Sequence, residues 1–244
     1  MEPIYIDHFT VSDLQCDRFG RLKMSSICWF VQEMAGRHCV QLELDWESLA
    51  KRRLFWAILR HRVQVSRLPR KNEKIRVETW PMPTTRVAYP RSVVAFDEAG
   101  KELFRSISIW VLMDLDTRAM ILPGKSGVEV MGILRGGELA SPGSMHPAMP
   151  ENRQVRPVRF TDLDINGHMN NCRYLDWAAD LLPSEFHKDH TIRDFTLGYL
   201  AEAREGDELT VRHELGDDGA LRLEIQREQG GENHRVFAAS LEFA

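Results

Sequence analysis

The stretch Phe160-Thr161-Asp162-Leu163-Asp164-Ile165-Asn166-Gly167-His168-Met169-Asn170-Asn171-Cys172-Arg173-Tyr174 sets Asp164, Asn166 and His168 at alternate positions just ahead of a helix start. In an extended segment alternate side chains point the same way, so three polar groups of different chemistry are expected to face one site. Asn170 or Asn171 is expected to cap the helix, with Tyr174, Trp177, Ala178, Leu181 and Leu182 along its apolar face. A helix N-terminus offers unpaired N–H groups and the positive end of its dipole. Gly167, Met169 and Asn170 are therefore candidate donors to a developing oxyanion. A polar loop ahead of a helix also contains Asp, Asn and Gly simply to turn and to cap. Taken alone, the stretch leaves both readings open.

Working outward, the chain gives the same order of elements twice. In the first half, Ser25 or Ser26 can cap a helix whose Ile27, Phe30, Val31 and Met34 share one face. Strands are expected over 74–79, 91–96 and 103–112, with a hairpin loop at 97–101 and a turn at 114–118. In the second half, strands are expected over 195–203, 209–215, 221–226 and 236–243. The stretch from Gly124 to Pro157 is dense in Gly and Pro and reads as a connection. The halves align weakly. A shift of 145 puts Phe19, Arg21 and Lys23 opposite Asp164, Asn166 and His168; a shift of 134 puts Val63, Val65, Ile75 and Val77 opposite Leu197, Tyr199, Leu209 and Val211. The expectation is an internal duplication of an α+β unit, a long helix packed on a curved antiparallel sheet. Its bounds are a first domain over 1–135, a linker over 136–155 and a second domain over 156–244.

Composition narrows the function classes. With 43% hydrophobic and 28% charged residues, the 244-residue chain is neither disordered nor fibrous. No run approaches the ~18 apolar residues of a membrane span, and the N-terminus lacks the pattern of a secretory signal. Cys16, Cys28, Cys39 and Cys172 form no CxxC pair and no zinc spacing, which suits reduced thiols in a cytoplasmic protein without a metal or other cofactor. Residues 51–76 hold ten Lys or Arg and one acid, including Arg52, Arg53, Arg70 and Lys71. That balance makes these four a candidate face for an acidic partner, against the plainer reading of solvated strand faces. No recognised motif accompanies the charge, so nucleic acid is not expected.

The motif Asp164–Tyr174, DINGHMNNCRY, resembles the acyl-acyl-carrier-protein thioesterases of plants and bacteria. Their D-x-N-x-H-x-N-N-x-x-Y pattern is matched at every fixed position. Supporting signatures are Val77-Glu78-Thr79-Trp80-Pro81, Ser108-Ile109-Trp110-Val111-Leu112-Met113-Asp114, and Thr117-Arg118 ahead of Leu122-Pro123. The resemblance runs over roughly residues 5 to 240. It implies two tandem hotdog domains, with Asp164, Asn166 and His168 catalytic in the second and the first shaping the acyl pocket. The family also carries a catalytic Glu-Cys pair in a Tyr-Arg-Arg-Glu-Cys context. Here the matching residues are Tyr199-Leu200-Ala201-Glu202-Ala203, so the glutamate is kept and the cysteine is not. The resemblance therefore implies hydrolysis of fatty acyl carrier protein thioesters by water directly, with Glu202 as the leading general base. Cys172 sits at a variable position and reads as a small apolar helix residue. An acyl-CoA thioesterase and a non-catalytic lipid-binding protein are the alternatives. The hydratase pattern D-x-N-P-x-H and the dehydratase motif are both absent. Homodimerisation is left open.

Overall fold

A computed structural model of the chain describes residues 2–145 and 150–244. It divides into two compact units, Met1–Leu22 with Trp29–Pro142, and Lys23–Cys28 with Gly143–Ala244. Among the described residues no helix is long and apolar enough to cross a membrane.

In the first unit the strands β1 (Tyr5–Thr10), β2 (Leu54–Val65), β3 (Lys74–Pro81), β4 (Tyr89–Asp97) and β5 (Glu102–Asp114) lie in the order β1-β3-β4-β5-β2, each pair antiparallel. The helix α1 (Met24–Gln41) buries Ile27, Phe30, Val31 and Met34 completely, as their spacing predicts. Phe30 meets Phe9 of β1 edge-on at 5.0 Å. The helix starts at Met24, so Ser25 and Ser26 lie inside its first turn and are not caps. A short helix α2 (Trp46–Ala50), capped by Asp45, and the pair β6 (Met120–Ile121) and α3 (Pro123–Ser126) complete the unit.

The second unit repeats the ladder. Its strands β7 (Asn152–Pro157), β8 (Ile192–Tyr199), β9 (Glu208–Leu215), β10 (Ala220–Gln229) and β11 (Glu232–Phe243) lie in the order β7-β9-β10-β11-β8. The expected long helix is absent here. The helix α4 runs only from Arg173 to Ala179, preceded by Cys172, so neither Asn170 nor Asn171 caps it. Leu181 and Leu182 lie beyond its end. Pro183 has an extended backbone and cannot continue the helix; it starts the separate helix α5 (Ser184–Asp189). Tyr174 and Trp177 are buried as expected, and Tyr174 stacks on Phe237 of β11 at 4.4 Å.

Register makes the duplication visible. Tyr5 pairs with Thr79 and Thr10 with Lys74; Asn152 pairs with His213 and Pro157 with Glu208. The shift is 147 for the first strand (152 minus 5) and 134 for its partner (213 minus 79). The expected shift of 134 holds for this part of the ladder, but the shift of 145 for the motif region is two residues short. The reason is that few identities survive there, whereas hydrogen-bond register is read from the backbone.

The units differ inside. Arg91, Ser108 and His61 form a cross-strand row in the first unit, all buried. The same row in the second unit is Leu221, Leu241 and Phe195. Buried polar groups persist where they are hydrogen-bonded. Arg91 donates to His38 Nδ1 at 3.1 Å and to Thr79 Oγ1 at 3.2 Å.

The expected linker over 136–155 overlaps a strand, because residues 152–155 belong to β7 and pair with β9. Residues 146–149 of that stretch lie outside the described residues. The part before it lies along the first unit: Arg135 donates to Glu78 Oε2 at 2.5 Å and covers the Trp80 ring at 4.6 Å, and Ile133 N–H reaches Pro81 O.

Candidate active site

The motif loop is a turn and not an extended strand, so alternation does not aim its side chains. Asp164 builds the turn. Its Oδ1 accepts the N–H of Asn166 at 2.8 Å and that of His168 at 3.3 Å. Its backbone completes the closure, with Gly167 N–H donating to Asp164 O at 3.0 Å and Asp164 N–H to His168 O at 2.8 Å. Gly167 has φ +75°, a left-handed conformation that a glycine adopts without strain. Ile165 at the tip is fully exposed, and Asn166 beside it is exposed with its Nδ2 3.5 Å from Asp164 Oδ2.

The expected donors Gly167, Met169 and Asn170 are already engaged. Their N–H groups go to Asp164 O, Ala203 O and Asp162 O at 3.0, 2.8 and 2.8 Å, and the helix starts only at Arg173. These amides are structural, and the oxyanion role expected of them is withdrawn. Asn170 adds a side-chain bond, its Oδ1 accepting from Cys172 N–H at 2.9 Å.

His168 and Glu202 do come together. The imidazole Nε2 lies 3.2 Å from Glu202 Oε2, with the histidine 20% and the glutamate 41% exposed. Glu202 is not on a strand, because β8 ends at Tyr199. It sits in the β8–β9 connection, which is laid against the motif loop by the Met169–Ala203 bond and an antiparallel bridge between His168 and Arg204. The Arg204 guanidinium stands 3.7 Å from Glu202 Oε2, so the carboxylate lies between an imidazole and a cation. Asp164 and Asn166 are within the same turn as His168. Thus four sequence-predicted residues, Asp164, Asn166, His168 and Glu202, share one locality, with the ring–carboxylate pair in direct contact.

The candidate basic face does not form one patch. Arg52 and Arg53 precede β2, while Arg70 and Lys71 follow it, and a 12-residue strand is on the order of 35 Å long. Arg53 is paired with Asp116, Lys71 with Asp13 at 2.8 Å, and Arg52 donates to Ser126 O. Local charge in sequence does not survive a strand that carries its ends apart.

Cys172 lacks the surroundings of an activated thiol. Burial pushes its thiol up to about 12, and the nearby Asp176 adds to that, so the thiol stays protonated at neutral pH.

Sequence reasoning missed Arg204, Asp207 and Arg227. None belongs to a motif. The signal that finds Arg204 and Asp207 is the shift of 134, which matches them to Arg70 and Glu73 in an equivalent turn: Arg204 N–H to Asp207 Oδ2 and Arg70 N–H to Glu73 Oε2 are both 2.9 Å.

A duplicated antiparallel ladder carrying an Asp-built turn and a His–Glu pair in its second copy defines a protein of tandem hotdog fold with a candidate site in the second unit. The N-terminal domain of acyl-ACP thioesterases matches residues 2–122 and the C-terminal domain residues 146–240, and the chain belongs to the acyl-ACP thioesterase family. The crystal structure of an acyl-ACP thioesterase from Bacteroides thetaiotaomicron superimposes with a TM-score of 0.87 at 26% identity, covering 99% of this chain and 98% of that one. The 12:0-ACP thioesterase from Umbellularia californica shares the fold, with a TM-score of 0.83 at 20% identity over 100% of this chain and 98% of that one. The chloroplastic palmitoyl-acyl carrier protein thioesterase of Gossypium hirsutum is 25% identical over 222 residues, 82% of this chain and 52% of that protein. The chain spans about half the length of the curated plant relatives it matches.

Proposed function

We propose that this chain hydrolyses the thioester between a fatty acyl group and acyl carrier protein, with the chemistry in its second unit. Glu202 takes a proton from water as the water oxygen bonds to the thioester carbon. The tetrahedral intermediate then expels sulfur, the C–S bond breaks, and the proton on Glu202 passes to the leaving thiolate. The products are a free fatty acid and the carrier thiol. His168 donates to the carboxylate and holds it in place, and the Asn166 amide orients the thioester carbonyl.

The contact that supports this most is His168 Nε2 to Glu202 Oε2 at 3.2 Å, beside Ala203 where a thiol would otherwise stand. A base must lie within hydrogen-bond reach of its partners, and an alanine leaves water as the nucleophile at that position. The first unit carries Arg21 and Leu68 at the matching register and is assigned acyl selection, not chemistry. Among the described residues none of the four cysteines is in a disulfide, which suits a cytoplasmic enzyme.

The test is turnover on matched acyl-carrier-protein and acyl-CoA substrates, with released fatty acids identified by mass. Faster release from the carrier protein is expected. Preference for CoA would favour an acyl-CoA thioesterase, and binding without release would favour a lipid-binding protein.

A further inference from the structure

The two units build the same bracket around the β2–β3 and β8–β9 connections, but they take its arginine from different places. In the first unit Glu73 accepts the N–H of Arg70 at 2.9 Å and two N–H groups of Arg67, at 2.9 and 2.5 Å. Arg67 Nη1 also reaches Leu68 O at 3.5 Å. In the second unit Asp207 accepts the N–H of Arg204 at 2.9 Å and Arg227 Nη1 at 2.8 Å, and that same Nη1 reaches Glu202 O at 3.2 Å. Leu68 and Glu202 are equivalent positions under the shift of 134 (202 minus 68), as are Glu73 and Asp207 (207 minus 73).

The arginines are not equivalent. Arg67 matches Ala201 (201 minus 134), whose methyl group offers no donor and no charge. Arg227 stands on β10 opposite Leu209, and its match on β4 is Asp97, opposite Ile75. So a cation has been lost from one corner of the bracket and regained at another, where the first unit carries an acid. The carbonyl it holds is that of Leu68 in one unit and of Glu202 in the other.

This location matters because Glu202 sits on a connection between strands and not in the ladder itself. It lies past the end of β8 and is 41% exposed, yet its carboxylate must meet an imidazole at 3.2 Å. Arg227 is only 25% exposed and is anchored on a central strand by Asp207. A rigid strand therefore sets the position of the Glu202 backbone through one charge-assisted hydrogen bond.

We propose that Arg227 is the positioning residue for Glu202, replacing the arginine that position 201 lacks. The proposal rests on Glu202 acting as the base of the proposed hydrolysis. It predicts a kcat effect with little change in KM, because Arg227 touches the carbonyl of Glu202 and not the substrate.

The experiment compares R227M, R227K, R67M, R227M/A201R and E202Q by melting temperature, kcat and KM on one acyl-carrier-protein substrate. R227M should lose roughly 30-fold in kcat with KM within about twofold, somewhat less than the ~10²-fold that a full ångström of misplacement can cost. R67M removes the same bracket from the first unit, so it should lower the melting temperature comparably and keep kcat within about twofold. A201R, which restores the first unit's arrangement, should return R227M to within about threefold of the original kcat. Wild-type kcat in R227M with E202Q inactive, or no rescue by A201R, overturns the inference and leaves the hydrolytic reading intact. An active E202Q overturns that reading itself. Should R227M fail to fold, R227K carries the test: reduced kcat at an unchanged melting temperature is expected, and wild-type kcat overturns it.

Discussion

Asp17 and Asp164, 147 positions apart, hold the same turn with the same hydrogen bonds. Asp17 Oδ1 accepts from Phe19 N–H at 2.8 Å and Arg21 N–H at 3.0 Å; Asp164 Oδ1 accepts from Asn166 N–H at 2.8 Å and His168 N–H at 3.3 Å. The glycines match too, Gly20 at φ +72° and Gly167 at φ +75°. The motif aspartate is thus present in the copy that has neither His168 nor Glu202. Its first duty is to the backbone, and the second unit sets His168 and Glu202 beside a turn that both units share.

Removing either aspartate should therefore cost similar stability. We expect D17A and D164A each to lose about 1–2 kcal/mol in chemical denaturation, the scale of lost side-chain-to-backbone bonds. Only D164A should lose turnover, because only its turn presents His168. Equal activity in the two variants would contradict this division.

The repeated order of helix and strands was legible in the residues, since alternation marks β3 and turn-forming stretches set off β4, β5, β9, β10 and β11. The strands β1, β2 and β7 were not; β7 is exposed at five of its six positions and shows no alternating face. The length of the second helix misled because Leu181 and Leu182 continue its apolar pattern, and Pro183 ends it. At the site, Asp164, Asn166 and His168 could be named from the motif, and Glu202 only through the family resemblance at Tyr199–Ala203. The bracket of Asp207 and Arg227 could not, because it joins positions 20 residues apart on different elements and no local pattern announces it.

The buried histidines of the first unit predict a pH dependence of stability. Burial pulls His61 down to about 3, and burial with the Arg91 charge pulls His38 down to about 4. The unfolded chain protonates His61 near pH 6.5 while the folded chain does not until about pH 3. Stability is then full above pH 6.5 and falls as the pH drops through that window, on the order of 5 kcal/mol for His61. H61F, which installs the aromatic found at the matching Phe195, should flatten this slope in melts between pH 7 and 4. An unchanged slope would contradict the assignment.

The thiols should be dispensable. With Cys172 protonated and half-buried, C172A is expected to keep turnover within about twofold and to cost about 1 kcal/mol or less. Brief iodoacetamide treatment at pH 7.5, followed by mass analysis, should leave Cys172 and the fully buried Cys28 unmodified. Inactivation that tracks alkylation of Cys172 would reopen covalent catalysis.

The most direct test of the site is a double-mutant cycle on His168 and Glu202, read as single-turnover release of fatty acid from acyl carrier protein. Acting as a unit 3.2 Å apart, the two should be non-additive. H168A and E202A should each lose about 10²–10³-fold, and H168A/E202A should be no worse than the poorer single variant. Near-normal release in either single variant, or losses that multiply in the double, would contradict the account.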